Sequence, residues 1–146
     1  MADPVPMNPE DRELRILLGD ARTIAVVGLS SKPGRPSLGV AAYLQDHGYR
    51  VIPVNPRETE VLGERAYPSL VDIPDDIEVD VVDVFRRPQE TLEVAREAVQ
   101  IGAKVLWLQE GIVSDEAYGI ASAAGLDVIM GVCIRQTRRR VIGEDA

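Results

Sequence analysis

Cysteine occurs once in the 146-residue chain, at Cys133, and histidine once, at His47. A lone cysteine excludes an intrachain disulfide and any metal site built from several cysteines, so no metal is expected. Aromatic residues make up only 4% of the chain, with one Trp and one Phe. The core must therefore be built from Val, Ile, Leu and Ala, which suits strands buried on both faces under closely packed helices. Long apolar runs are missing too: stretches such as Ile24–Leu29 are far too short to cross a bilayer. Met1–Met7 is proline-rich without a basic start or an apolar run, which is not the pattern of a signal peptide, so the sequence predicts a cytoplasmic protein. Basic residues are outnumbered, 16 Lys and Arg against 24 Asp and Glu, for a net charge of −8. A surface of that sign repels a phosphate backbone, so neither nucleic acid nor membrane is an expected partner. A phosphorylated small molecule stays open, because one local cluster of donors overcomes a global field.

What is present is an alternation. Five short runs rich in Val and Ile, Thr23–Val27, Arg50–Val54, Val79–Val84, Lys104–Leu108 and Asp127–Met130, have the length of buried strands. Four helix patterns lie before and between them. The first runs from Pro9 to Leu18, with Asn8 as N-cap. The second covers Ser37–Asp46 with Val40, Ala41 and Leu44 inward, and Gly48 stops it. The third opens at Pro88, buries Leu92, Ala95 and Val99, and ends before Gly102. The fourth is capped by Ser114 and ends at Gly125. Strands alternating with such helices predict an α/β, Rossmann-type three-layer fold: a mainly parallel sheet of five strands with helices on both faces. A sixth, weaker strand candidate lies around Arg65–Tyr67, within a loop-rich crossover from Arg57 to Asp76. With no repeats, linkers or boundary signals, residues 1–146 read as a single domain with a flexible 1–8 segment.

Chemistry concentrates after the first strand, where the chain reads Gly28-Leu29-Ser30-Ser31-Lys32-Pro33-Gly34-Arg35-Pro36-Ser37. Glycines permit the bend and the close approach of a ligand, serines offer hydroxyl donors, and Lys32 and Arg35 offer charge. A helix N-terminus, with its free N–H groups and dipole, begins at the same place, so the turn is a candidate phosphate site. It is neither the three-glycine dinucleotide fingerprint nor a Walker loop. At the end of the second strand stands Val54-Asn55-Pro56-Arg57, with the first acid, Glu58, beyond the bend. An NAD site wants an acid there for the ribose, whereas Arg57 suits a ribose that carries a phosphate, as in NADP or coenzyme A.

Several pieces then occur in register. They are Gly28-x-Ser30-x-x-Pro33, Gly48-Tyr49-Arg50-Val51-Ile52-Pro53-Val54-Asn55-Pro56 and Gly63-Glu64-Arg65-Ala66-Tyr67-Pro68-Ser69-Leu70, followed by Val84-Phe85-Arg86, Trp107-Leu108-Gln109-Glu110-Gly111 and Cys133. From Thr23 to Arg140 the chain resembles the small stand-alone CoA-binding domain proteins, which are similar to the N-terminal domain of the succinyl-CoA synthetase alpha subunit. The resemblance implies coenzyme A or an acyl-CoA as ligand. It implies that Gly28, Ser30, Ser31, Lys32 and Pro33 receive the phosphates, that Val54, Asn55 and Arg57 face the 3′-phosphate half, and that Phe85 and Arg86 line the pantetheine path. Gln109, Glu110 and Gly111 resemble a loop at the same mouth. Where the family often carries a glutamate four residues after the cysteine, this chain has Thr137, followed by Arg138-Arg139-Arg140.

The remaining notable residues read as structural. His47 ends a helix and favours its dipole; the synthetase's phosphohistidine belongs to a domain this chain lacks, so the ligase reaction is not implied. Cys133 reads as a buried thiol, with disulfide formation to the CoA thiol as the alternative. Trp107 reads as core, and Arg138–Arg140 as a solvated helix end. No catalytic constellation emerges. The expected function is a non-catalytic CoA carrier, sensor or regulatory module; the alternatives are an NADP-dependent enzyme on the same fold, or a regulatory subunit whose pocket is unused.

Overall fold

The computed structural model describes residues 5–144. Its centre is a five-stranded, wholly parallel sheet formed by β1 (Thr23–Val27), β2 (Arg50–Val54), β5 (Val81–Val84), β6 (Val105–Glu110) and β7 (Asp127–Gly131). The strands lie in the order β2-β1-β5-β6-β7. Every residue of β5 is buried, as are four of the five in β1, β2 and β7, which is why these segments read as continuous aliphatic runs rather than alternating ones.

Five helices cover the sheet: α1 (Asp11–Asp20), α2 (Pro36–Asp46), α3 (Thr91–Gln100), α4 (Asp115–Ala123) and α5 (Ile134–Val141). One face packs α1, α2 and α5 through Leu14, Leu18, Val40, Leu44 and Ile134 onto Ile24, Val26, Trp107 and Ile129. The other packs α3 and α4 through Ala95, Ala98, Ala117 and Ala121 onto Val82, Leu106 and Met130. Methyl side chains at these four positions let α3 and α4 lie close to the sheet and to each other.

The structure shifts several expected boundaries. The helix expected from Pro9 begins at Asp11, with Glu10 at its N-cap. Asn8 is used elsewhere: its side-chain amide donates to Met130 O at 2.8 Å and its carbonyl accepts from Met130 N at 2.8 Å. Residues 5–8 are thus tied to the β7 edge, and residues 1–4 of the expected flexible 1–8 segment lie outside the described residues. Pro88 opens a single 3-10 turn, Pro88–Glu90, before α3. That helix buries Thr91, Ala95 and Ala98, leaving the expected Leu92 and Val99 only half-buried. The fifth helix, α5, lies outside the four helix patterns read from the sequence, which held only its Arg138–Arg140 end.

The crossover expected to be loop-rich holds a small hairpin, β3 (Glu60–Val61) and β4 (Glu64–Arg65), paired antiparallel. Its turn puts Leu62 at φ 54° and Gly63 at φ 79°, the two left-handed residues of a tight primed turn. The sixth-strand candidate around Arg65–Tyr67 is divided: Arg65 belongs to β4, and Tyr67 makes one parallel bridge to Val54.

Candidate functional site

The strand order sets β1 beside β5, and their continuations leave on opposite faces, β1 into α2 and β5 towards α3. A crevice opens outside the carboxyl ends at such a reversal. Backbone bonds gather three sequence-predicted positions there: Gly28 N donates to Val54 O at 2.8 Å, and Phe85 N donates to Val27 O at 2.8 Å. Gly28 has φ +88°, and a Cβ on it would stand 2.4 Å from Phe85 O. Only glycine fits, because β1 and β5 converge at this point.

Asn55 joins the same cluster, its amide donating to Leu29 O at 3.0 Å while its Oδ1 accepts from Arg57 N at 3.0 Å. Lys32, Pro33 and Arg57 stand exposed around the mouth, and Arg86 follows Phe85 half-buried. All ten residues singled out in the sequence therefore lie on the turn after β1 or at the ends of β2 and β5. Val54 contributes through its backbone alone, its side chain being buried in the core.

The turn's polar groups are arranged differently from the expectation. Its serines were expected to donate, but Ser37 Oγ accepts from Ser30 N at 3.1 Å and Ser30 Oγ accepts from Lys32 N at 3.1 Å. These two oxygens hold the turn's shape, which leaves their hydroxyl hydrogens to be directed elsewhere. Ser31 is engaged by an acid: its N–H donates to Glu58 Oε2 at 2.7 Å and its hydroxyl reaches both carboxylate oxygens at 2.9 Å. Glu58, read in the sequence as lying beyond the bend, is folded back over the turn. The cause is local: Glu58 N donates to Asn55 O at 3.2 Å, closing a turn with Asn at its first position and Pro56 at its second. The Ser31 backbone and hydroxyl hydrogen bonds, with the charge of Lys32 adding to them, hold the Glu58 carboxyl below its ordinary range.

Helix α2 adds the start of its dipole. Pro36 occupies its first turn, and no side chain caps it, so the free N–H groups face the mouth. From the far end of the chain comes a cation the sequence reading missed. Arg135, in the first turn of α5, places Nη1 3.5 Å from where a Cβ on Gly39 would be, against the first turns of α2. Its Nε is buried without a hydrogen-bond partner among the described residues. The sole sequence signal was its position two residues after Cys133. Gln109 is structural: buried, it accepts from Ile134 N at 3.0 Å and pins the start of α5, while Glu110 and Gly111 are exposed at the rim.

Of the other residues, His47 bonds Tyr43 O through Nδ1 at 2.8 Å at the far end of α2, away from the mouth. Cys133 is a buried free thiol at the N-cap of α5, and Trp107 is core, its indole N–H donating to Val132 O at 2.9 Å. Arg138 was expected to be solvated with its neighbours and is instead buried, its Nε donating to Tyr49 Oη at 3.0 Å. Arg139 and Arg140 do reach the surface, where they pair with Glu144 and Asp11.

Two other places carry polar groups. A cleft of about 440 Å³ lies at the opposite, amino end of the sheet, lined by Glu13, Leu17, Asp20, Asp80, Lys104 and Asp127. Four carboxylates disfavour a phosphate there, and Lys104 is already paired with Asp80 at 3.3 Å. Asp83, within β5, is fully buried with neither oxygen bonded among the described residues; desolvation alone raises its pKa well above the ordinary value. No described helix is long and apolar enough to cross a membrane.

Known proteins are similar to this chain. YneT of Bacillus subtilis, a protein described only as uncharacterised, is 44% identical over 128 residues, covering 88% of this chain and 93% of its own. A solved structure of a Pyrococcus horikoshii protein superposes with a TM-score of 0.90 at 40% identity, over 98% of this chain and all of that one. The ADP-forming acetate–CoA ligase II of Archaeoglobus fulgidus is 33% identical over 86 residues, which span 57% of this chain but 12% of the ligase. The family model described as a CoA binding domain matches residues 22–137, from the start of β1 into α5 and through every residue of the crevice. The parallel sheet, the glycine-led turn and this match agree: the chain belongs to the CoA-binding domain family.

Proposed function

We propose that this protein binds coenzyme A or an acyl-CoA in the crevice between β1 and β5, as a cytoplasmic, non-catalytic carrier, sensor or regulatory module. The observation that carries the reading is the convergence of the Gly28 turn, the Asn55–Arg57 bend and the Phe85–Arg86 segment on one mouth at the start of α2. The diphosphate lies against Ser30, Ser31, Lys32 and Pro33, where a helix N-terminus and a lysine favour an anion. Arg57, at the end of β2, faces the 3′-phosphate. Val54 and Asn55 line the adenosine side with their backbone and amide, and pantetheine runs over Phe85 and Arg86. His47, at the other end of α2, and the buried Cys133 take no part in this binding mode.

Isothermal titration with CoA and with dephospho-CoA tests the reading. Saturable binding of CoA is expected, and Arg57→Ala should weaken CoA about tenfold, as loss of a charge-assisted contact does, while changing dephospho-CoA little. Equal losses for the two ligands would remove Arg57 from the 3′-phosphate, and no heat or thermal shift at millimolar CoA would end the proposal. Quenching of NADPH fluorescence on adding the protein would favour the dinucleotide alternative.

A further inference from the structure

The Ser31 N–H and hydroxyl, the donors a phosphate oxygen would use on this turn, are held by a carboxylate of the protein itself. We propose that Glu58 is a specificity-determining residue of the mouth: it occupies the Ser31 donors in the place of a ligand phosphate, and only a ligand bringing adjacent phosphates displaces it. This rests on the reading of the mouth as a CoA site and deepens it, by stating what a ligand must overcome to enter.

The contact is built rather than incidental. One carboxylate takes two donors of a single residue, with three oxygen contacts of 2.7, 2.9 and 2.9 Å, across 27 residues of chain. The Asn55-Pro56 bend delivers it. No lysine or arginine forms an ion pair with Glu58 among the described residues, so donors rather than a cation hold it. The charged groups around it are Lys32 on the turn and Arg57 beside it in the chain. Both attract a diphosphate more strongly than a single carboxylate, because it carries more charge. A ligand with one carboxylate or no phosphate has no such advantage, and the protein's own acid keeps it out. Glutamate's flexible side chain can leave the turn by rotation, without moving the strands.

Titrations of pyrophosphate and of CoA into the wild-type chain, Glu58→Gln and Glu58→Asp, each confirmed folded by thermal unfolding, test this. Glu58→Gln is expected to bind both ligands about tenfold tighter, because displacing a neutral amide forfeits much less than displacing a charge-assisted pair of bonds. Glu58→Asp keeps the charge but is one methylene too short to reach Ser31, and should tighten binding by a smaller factor. A wild-type affinity for pyrophosphate in Glu58→Gln overturns the inference whatever CoA does. Tighter pyrophosphate binding in Glu58→Gln with no CoA binding by any variant would leave the inference standing and bring down the CoA reading instead. The ligand-free protein provides a second readout: the Ser31 amide proton should shift as Glu58 titrates and lose that shift in Glu58→Gln. A Ser31 amide indifferent to that titration overturns the inference equally.

Discussion

Strand β1 meets a carboxylate at each end, and the two make the same kind of contact to opposite effect. At the amino end, Asp80 accepts from Arg22 N at 2.8 Å and Thr23 N at 3.0 Å and pairs with Lys104. It joins three neighbouring strands before the sheet begins. At the carboxyl end, Glu58 accepts from Ser31 on a turn, from a loop, with no cation clamped to it. An acid locked into a sheet by a lysine is part of the frame. An acid on a loop, held by donors a ligand also wants, is a removable occupant. Between them Asp83 accepts no hydrogen bond among the described residues. Geometry, not residue type, separates the three roles.

Changes at these positions should break or sharpen that contrast. The largest effect is expected at Gly28, where an added Cβ meets Phe85 O at 2.4 Å in a left-handed backbone. Gly28→Ala should cost about 3 kcal/mol or more in urea unfolding and abolish CoA binding, since strain and overlap add. A stable variant that still binds would mean β1 and β5 need not converge.

Asp83→Val should act in the other direction, stabilising by about 1–3 kcal/mol at neutral pH, the scale of an unsatisfied buried polar group. Because burial holds the folded carboxyl well above its ordinary value of 3.8, the unfolded chain releases its proton first as pH rises. The wild type should therefore lose stability relative to Asp83→Val from about pH 4 upward, until the folded carboxyl also ionises. A difference that does not grow with pH would mean that Asp83 is ionised in the folded protein.

Asp80→Asn should cost about 1–2 kcal/mol at neutral pH. Burial raises the Asp80 carboxyl, but the Thr23 and Arg22 N–H groups and Lys104 outweigh it and hold it below its usual range. Its contribution is thus complete above the unfolded carboxylate pKa and is lost as pH falls through the folded one. The gap between wild type and Asp80→Asn should close in acid; a gap that persists there would point to packing instead. The smallest effect belongs to Glu58→Gln, which gives up the bonds to Ser31 and should lower the urea midpoint by less than Asp80→Asn does. A loss as large as that of Asp80→Asn would make Glu58 a frame residue like Asp80 and erase the contrast.

Much of the frame was legible because single segments encode it. Runs such as Ile24-Ala25-Val26-Val27 are aliphatic throughout, as strands buried on both faces must be, and Ser114 marks the start of α4 by accepting from Ala117 N at 3.1 Å. What escaped depends on residues distant in sequence. Asn8 has the chemistry of an N-cap, and only the nearness of Met130 gives it a different partner. Arg138 sits in a run of three arginines and is buried because two tyrosines from α2 and the start of β2, Tyr43 and Tyr49, stand under it. Leu62-Gly63 is a weak turn signal beside Asn-Gly, so the hairpin was read as loop. At the mouth, glycine, lysine and arginine announced an anion site through composition alone. Glu58 did not, because its role comes from the Asn55-Pro56 bend, which folds it back onto Ser31, 27 residues away in the chain.

Asn8 bears on how the protein behaves at high concentration. β7 ends the sheet, and an uncovered edge is a template for strands of other copies. By offering Met130 one donor and one acceptor, a single side chain does there what a sixth strand would do, while Tyr67 shields β2 at the other margin. Each margin thus has a position taken by a partner from the same chain, Met130 on β7 and Val54 on β2, and at those positions a strand of another copy cannot pair without displacing it.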